Sequence, residues 1–244
     1  MEERLQKLLS RAGLGSRRAC EALIRESRVA VNGQIAQIGQ KADPERDHIT
    51  LDGTPVQVQR GNTYIALHKP RDVLSDEGDG SGQIKTAREL ISLPGHLYPA
   101  GRLDLRSEGL LLMTDDGELT HRLTHPRYEH EKEYEVYVEG HPSEKTLAQW
   151  RRGVFLEGKR TSPAQVSVIQ EEKKHTWLRI VLHEGRKRQI RRVASMLGHP
   201  AHKLLRVRIG PVLLGKLKPG QWRHLTKQEV SALRRLTKPK KERR

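Results

Sequence analysis

The sequence predicts an α+β chain in two unequal units, and three observations carry that prediction. Residues 1–58 hold two short helical patterns followed by small strands that turn at Asn-Gly and Asp-Gly. Residues 64–236 alternate strand patterns with short amphipathic helices, a length ample for a core of its own. Between them, residues 59–63 are polar, aperiodic and contain Gly61, which marks a linker.

Composition narrows the partner. Lys and Arg total 46 against 30 Asp and Glu, a formal net charge of +16. Such an excess implies a polyanion, because each phosphate neutralised releases a condensed counterion. Anionic lipid competes for that role, but the chain carries no apolar run of about 18 residues, no signal-peptide core and no lipidation motif. Nucleic acid is therefore the expected partner, and a membrane is not. Aromatic residues make up only 4%, too few for a long base-stacking platform. Recognition should rest on charge and shape, with one or two aromatics in special roles. Cys20 is the lone cysteine, so no internal disulfide is expected and a reducing cytoplasm is the expected location.

Along residues 3–12, Leu5, Leu8, Leu9 and Ala12 recur at helical spacing, while Arg4, Lys7 and Arg11 share another face. Gly13-Leu14-Gly15 stops this helix, and Ser16 is placed to cap a second one carrying Arg17, Arg18, Ala19, Ala22, Leu23 and Ile24. Cys20, beside Ala19 and Leu23, reads as a small core residue. Residues 29–35 alternate around Asn32-Gly33, and residues 49–56 repeat the device with Asp52-Gly53, so two hairpins are expected. The basic helix faces read either as ordinary solvated charge or as a surface for a polyanion, and their single sign favours the second.

Residues 64–68 open the second unit as a strand, stopped by Lys69-Pro70. Residues 72–82 are acidic and glycine-rich, the composition of a mobile loop. Thr86-Ala87-Arg88-Glu89 has the form of a capping box before a short helix that Pro94 ends. The most apolar run, Leu110-Leu111-Leu112-Met113, reads as a buried strand closed by Asp115-Asp116-Gly117, with a helix over 118–124. In residues 132–139, Tyr134, Val136 and Val138 face one way and Glu133, Glu135, Tyr137 and Glu139 the other. Ser143 caps a helix through Trp150 that Gly153 ends, and strands follow at 165–169 and 176–183.

Residues 184–192 open a further helix, with Ile190, Val193, Ala194 and Leu197 as its apolar stripe and Gly198 as its C-cap. Arg186, Lys187, Arg188, Arg191 and Arg192 lie there with Glu184 alone to neutralise them, near a helix start whose dipole disfavours cations. A bound anion, phosphate or buried carboxylate, would account for the surplus. Strands at 203–209 and 222–225 and a capping-box helix after Thr226 finish the unit, and residues 237–244 form a basic tail expected to be disordered.

One carboxylate stands out by its placement. The stretch Gly101-Arg102-Leu103-Asp104-Leu105-Arg106-Ser107-Glu108-Gly109 sets Asp104 in a basic, glycine-bounded loop ahead of the apolar strand. A reactive group needs rigid support of that kind. Taken alone, Asp104 reads more readily as a turn or capping residue. A glycosidase pairing Asp104 with Glu108 or with Asp115 or Asp116 suits a basic, aromatic-poor chain badly. His121 and His125 have metal-ligand spacing, yet no Glu follows His121 and no ligand cluster lies nearby, so no metal is expected.

The arrangement Leu5-Gln6-Lys7-Leu8-Leu9, Gly15-Ser16-Arg17-Arg18-Ala19 and Val29-Ala30-Val31-Asn32-Gly33 resembles an S4 RNA-binding domain. With Gly101-Arg102-Leu103-Asp104, Lys132-Glu133-Tyr134 and residues 184–192 added, residues 1–236 resemble the bacterial rRNA pseudouridine synthases that carry an N-terminal S4 domain. The large-subunit (23S) branch is the most similar. Arg106 departs from the pattern, where a smaller or acidic residue is commoner.

The resemblance implies an S4-type αα-β domain followed by a catalytic domain on a mixed, largely antiparallel sheet flanked by helices. It implies an isomerase with Asp104 as the essential carboxylate, Arg191 as its ion-pair partner and Tyr134 stacking on the uracil. RNA contacts are expected from Arg102, Lys69, Arg4, Lys7, Arg11, Arg17, Arg18, Arg186, Arg188 and Arg192. No cofactor is implied. The expected partner is ribosomal RNA, 23S before 16S, or a ribosome-assembly intermediate, met by a monomer. The rival from another class is a non-catalytic S4-type RNA-binding assembly factor, which would lack the Asp104, Tyr134 and Arg191 set.

Overall fold

Leu5, Leu8 and Leu9 are wholly buried along one face of a helix, as their spacing requires. The computed structural model describes residues 2–58, 61–76 and 83–237. The chain divides into two units, Met1–Thr63 with Ser92–Tyr98, and Tyr64–Ile91 with Pro99–Arg244. Residues 59–60 of the expected linker, 77–82 of the expected acidic loop and 238–244 of the expected tail lie outside the described residues. Thr237 does not belong to a tail: it is 1% exposed and caps the last helix.

In the first unit, β1 (Glu3–Arg4) pairs antiparallel with β4 (Lys41–Ala42), so helix α1 (Leu5–Arg11) starts at its first leucine and not at residue 3. Ser16 caps α2 (Arg17–Arg25) by accepting the Ala19 N–H at 3.2 Å. Two hairpins follow, β2 (Val29–Val31) with β3 (Gln34–Ile35) and β5 (Ile49–Leu51) with β6 (Thr54–Pro55). Their turns have Asn32 and Gly33 at φ 54° and 79°, and Asp52 and Gly53 at φ 49° and 79°, the left-handed pair such turns require. Cys20 is fully buried among these elements, and burial pushes its thiol up to about 11, so it serves packing. Residues 92–98 cluster with this unit, not with their sequence neighbours, the His96 N–H donating to the Ser10 carbonyl at 3.3 Å.

The second unit is built on one mixed sheet. Its strands are β7 (Tyr64–Lys69), β8 (Tyr98–Pro99), β9 (Glu108–Thr114), β10 (Lys132–Glu139), β13 (Gln165–Glu171), β14 (His175–Leu182), β15 (Ala201–Ile209), β16 (Val212–Leu213) and β17 (Trp222–His224), while β11 (Phe155–Leu156) and β12 (Lys159–Arg160) make a separate hairpin. The main path runs β13-β14-β10-β15-β9-β7-β17. Along it only β15 and β9 pair in parallel, so the expected mixed, largely antiparallel sheet is what forms. The apolar run of β9 is buried throughout from Gly109 to Thr114, as a strand covered on both faces must be.

Two apolar clusters pack against the sheet. Helices α4 (Glu144–Arg152) and α5 (Gln189–Met196) bring Leu147, Trp150, Ile190, Val193 and Ala194 onto Val136, Val138, Leu178 and Ile180. Helices α3 (Gly117–Thr124) and α6 (Lys227–Leu236) bring Leu119, Leu123 and Leu233 onto Ala66, Leu110 and Leu112. Asp116, Ser143 and Thr226 cap α3, α4 and α6, the last with the full capping box its sequence announced. Two expectations fail locally. The Thr86 box is absent: its hydroxyl meets the Glu89 side chain and only a 3₁₀ turn, Arg88–Leu90, follows. Helix α5 begins at Gln189, because Arg188 takes a left-handed backbone with φ 52° and Arg186–Lys187 stay in the loop before it.

Candidate active site

The loop of residues 101–107 enters β9 with its carbonyls gripped from four directions. Ser75 Oγ donates to the Leu103 carbonyl at 2.8 Å and accepts the Leu103 N–H at 2.9 Å. Lys69 Nζ donates to the Pro70 and Val73 carbonyls at 2.8 and 2.6 Å and reaches the Leu105 carbonyl at 3.5 Å. Arg206 Nε donates to the Leu110 carbonyl at 2.7 Å and its Nη1 to the Arg102 carbonyl at 3.3 Å, bracketing both ends of the loop. Arg191 Nη2 donates to the Arg106 carbonyl at 2.8 Å while its Nη1 holds the Ala201 carbonyl at 2.8 Å. Hydrogen bonds from charged donors contribute about 1.5–3 kcal/mol each, so the backbone around Asp104 is fixed far more firmly than a surface turn.

Sheet geometry explains how Arg206 reaches the loop. Arg206 sits opposite Tyr134 of β10 on one side and opposite Gly109 of β9 on the other. A register shift between Glu133 and Tyr134 leaves Val207 as an extra residue there, a bulge that re-aims the neighbouring side chains. Gly109 has φ 110°, and a Cβ on it would lie 2.4 Å from the Arg206 carbonyl oxygen, so no other residue fits.

Asp104 lines a cavity of about 760 Å³ together with Tyr134, Lys132, Arg191, Arg206 and Arg102. That volume is in the range of small-ligand sites. Asp104 is half-buried and Tyr134 is 8% exposed. Among the described residues no ion pair within 4.0 Å joins Asp104 to Arg191, contrary to the expected direct pairing. The planar fork of the guanidinium is committed to two carbonyls, one of them on the Asp104 loop itself, so Arg191 meets Asp104 through the field and the backbone. Burial pulls the Arg191 guanidinium below its ordinary value, and the Asp104 carboxylate opposes that pull. Arg191 Nε and Arg206 Nη2 are buried with no partner among the described residues.

Two cations in this cavity escaped the sequence reading. Arg206 is 3% exposed and occupies an inward position of β15 alongside Leu204; a charge in the apolar phase of an alternating strand was its signal. Lys132 donates to the His130 carbonyl at 3.2 Å, and burial beside Arg206 brings its ammonium down to about 8.

The expected RNA contacts divide. Arg4, Arg17 and Arg18 are exposed on the first unit, as are Arg102 and Arg188 on the second. Lys69 is a correction: it is 0% exposed, its ammonium is spent on carbonyls, and burial brings it down to about 8, so it cannot meet RNA. Arg11 is another, 8% exposed and paired with Glu3, which also binds Lys7. Against the burial that would raise it, Lys7 and Arg11 hold the Glu3 carboxyl below the usual range. Arg186 is tied to Glu184 and to the Lys159 and Arg160 carbonyls, and Arg192 is paired with Glu157 at 2.9 Å. Carbonyls and two carboxylates thus absorb much of the cationic surplus that suggested a bound anion. The His121 and His125 rings lie tilted by 53° with centroids 5.3 Å apart, and among the described residues no group of three or more His, Cys, Asp or Glu could hold a metal ion.

Comparison with known proteins supplies the family. A model described as RNA pseudouridylate synthase matches residues 63–196, and a model of the S4 domain matches residues 3–49. An uncharacterized RNA pseudouridine synthase of Aquifex aeolicus is 44% identical over 235 residues, covering 96% of this chain and 94% of the relative. The ribosomal large subunit pseudouridine synthase B of Bacillus subtilis is 39% identical over 237 residues, covering 96% of each. A crystal structure of a pseudouridylate synthase superposes with a TM-score of 0.65 at 30% identity, covering 94% of this chain and 99% of that one. The chain belongs to the RNA pseudouridine synthase family, with an S4 domain at its N-terminus.

Proposed function

We propose that this enzyme isomerises a uridine of ribosomal RNA, in the large-subunit (23S) molecule, to pseudouridine, and that Asp104 is the carboxylate that does it. The observation that carries the proposal is the convergence of Asp104, Tyr134 and Arg191, distant in sequence, on one cavity. The large-subunit target is supported by relatives named for that activity, 39% identical in Bacillus subtilis and 38% in Pseudomonas aeruginosa.

In this reaction the N1–C1′ bond breaks, the uracil turns and C5 bonds to C1′. A proton lost from C5 and one gained at N1 leave the composition unchanged. Asp104 either attacks C1′ as a nucleophile or removes a sugar proton as a base. Tyr134, projecting from β10, stacks on the uracil and assists proton transfer at C5. Arg191 sets the loop through the Arg106 carbonyl and supplies positive charge beside the carboxylate. The target nucleotide must leave its stack, at a cost of a few kcal/mol, offset by the pocket and by phosphate contacts from residues such as Arg102 and Arg188.

Residues 1–58 grip RNA through Arg4, Arg17 and Arg18, residues 64–236 carry the chemistry, and the tether between them raises the effective concentration of the second at its target. The protein works as a cytoplasmic monomer on rRNA or an assembly intermediate. Pseudouridine mapping of rRNA from cells with and without the gene tests this: at least one 23S site should disappear. An unchanged map overturns the proposal, and loss confined to 16S RNA moves the target to the small subunit.

A further inference from the structure

The chain contains a single phenylalanine, and it is not in a core. Phe155, on the β11–β12 hairpin, is 67% exposed, while its neighbour Leu156 is buried at 5% on the opposite side of the strand. Met196, the last residue of α5, is 55% exposed. These two side chains form a shared wall between two hollows of about 490 and 650 Å³. The larger hollow is lined also by Arg188, Arg191 and Arg192, and the first two of these line the Asp104 cavity as well. The smaller hollow adds Arg152 and Arg160. The apolar wall therefore adjoins the candidate active site across Arg188 and Arg191, and arginines flank it on both sides. The carboxylate in the larger hollow, Glu157, is already paired with Arg192.

A scattered apolar side chain on a surface needs no explanation. An aromatic beside a thioether, ringed by cations and contiguous with a pocket, matches instead what an unpaired base and its phosphates require: a flat apolar face with positive charge at its edge. We propose that Phe155 and Met196 form a stacking seat for an unpaired base of the RNA substrate close to the nucleotide held at Asp104, with Arg152 and Arg160 facing its phosphates. This rests on the functional reading above and adds to it a determinant of which RNA is accepted. It also fits a chain with few aromatics, since a single seat serves where a platform would not.

Phe155→Ala, Phe155→Trp and the double variant Arg152→Gln/Arg160→Gln are compared with the wild-type enzyme on unmodified full-length 23S transcript, by filter binding and by pseudouridine formation. Phe155→Ala should weaken binding by about tenfold, the scale of one lost base–aromatic stack, and lower kcat/KM mainly through KM. Phe155→Trp should restore both. The loss in Phe155→Ala should be the same at low and high salt, whereas the arginine variant should reduce the salt slope by roughly two, about one per phosphate contact. Wild-type affinity in Phe155→Ala, or no recovery in Phe155→Trp, overturns the seat. If the wild-type protein binds the transcript without converting any uridine, the functional reading is what fails, and the binding comparison still decides the seat. With p-benzoylphenylalanine in place of Phe155, photo-cross-linking should join the protein to RNA; cross-links only to a second copy or to another protein overturn the proposal.

Discussion

Arg206 and Gly109 face each other across the parallel β15–β9 pair, and the glycine is the condition for the arginine's position. A Cβ on Gly109 would come within 2.6 Å of the Arg206 backbone nitrogen as well as 2.4 Å of its carbonyl oxygen. Neither partner is the movable end of a side chain. Gly109→Ala should therefore cost more than about 4 kcal/mol, the range reserved for backbone clashes and core collapse. Urea denaturation measures it; a loss under about 1 kcal/mol would mean that the two strands can part locally.

Arg191 supports the Asp104 loop by donating to the Arg106 carbonyl while anchored on the Ala201 carbonyl. A lysine keeps the charge but cannot span both carbonyls with one rigid fork. Arg191→Lys is expected to lower kcat by about 10²-fold, the effect of misplacing a reacting group by about 1 Å, with RNA affinity changed far less. Single-turnover kinetics with a filter-binding control separate the two. Equal losses in kcat and affinity would make Arg191 an RNA ligand instead of a positioning residue.

Lys69 is enclosed and its ammonium bonds only backbone carbonyls. Lys69→Met should cost about 2–4 kcal/mol of stability through unpaired carbonyls, yet leave the salt dependence of RNA binding untouched. Arg17→Ala, on the exposed start of α2, should do the opposite and reduce the salt slope by about one. Binding isotherms at several ionic strengths, with melting curves, decide between the two patterns.

Lys132 titrates at about 8 in the fold, below its ordinary 10.5, because burial and Arg206 both disfavour its charge. The unfolded chain therefore holds more protons between about pH 8 and 10.5, so this group makes stability rise with pH across that window. Within the pocket the sign reverses in effect: the cation is present below about 8 and lost above it. RNA affinity should fall between about pH 7 and about pH 9, and Lys132→Arg, which stays charged, should flatten that fall. Identical pH profiles for the two proteins would remove Lys132 from RNA binding.

Local chemistry was legible in the sequence where it acts locally. Ser16, Ser143 and Thr226 cap the helices they precede, Asn32-Gly33 and Asp52-Gly53 make the turns, and the β9 run is a buried strand. The alternation that set Tyr134 beside Val136 and Val138 also held, and the three share one core cluster. What sequence could not show is which cations the tertiary fold encloses. Lys69, Arg11 and Arg206 look like surface charges until carbonyls or a carboxylate from other elements close around them. The late start of α5 has the same origin: Arg186 is drawn out of the helix by Glu184 and the Lys159 and Arg160 carbonyls. A bulge beside Tyr134 leaves no mark in the alternation of β10, because the extra residue sits on β15.

The role of Asp104 is tested by the pseudouridine that Asp104→Asn forms in unmodified 23S transcript, with folding and RNA binding checked alongside. The replacement keeps the side chain's size and removes its charge. The variant should keep a wild-type melting curve and RNA affinity within about threefold, with turnover lowered by more than about 10³-fold, as loss of a reacting group requires. Pseudouridine formation at the wild-type rate would show that Asp104 is not the reacting carboxylate.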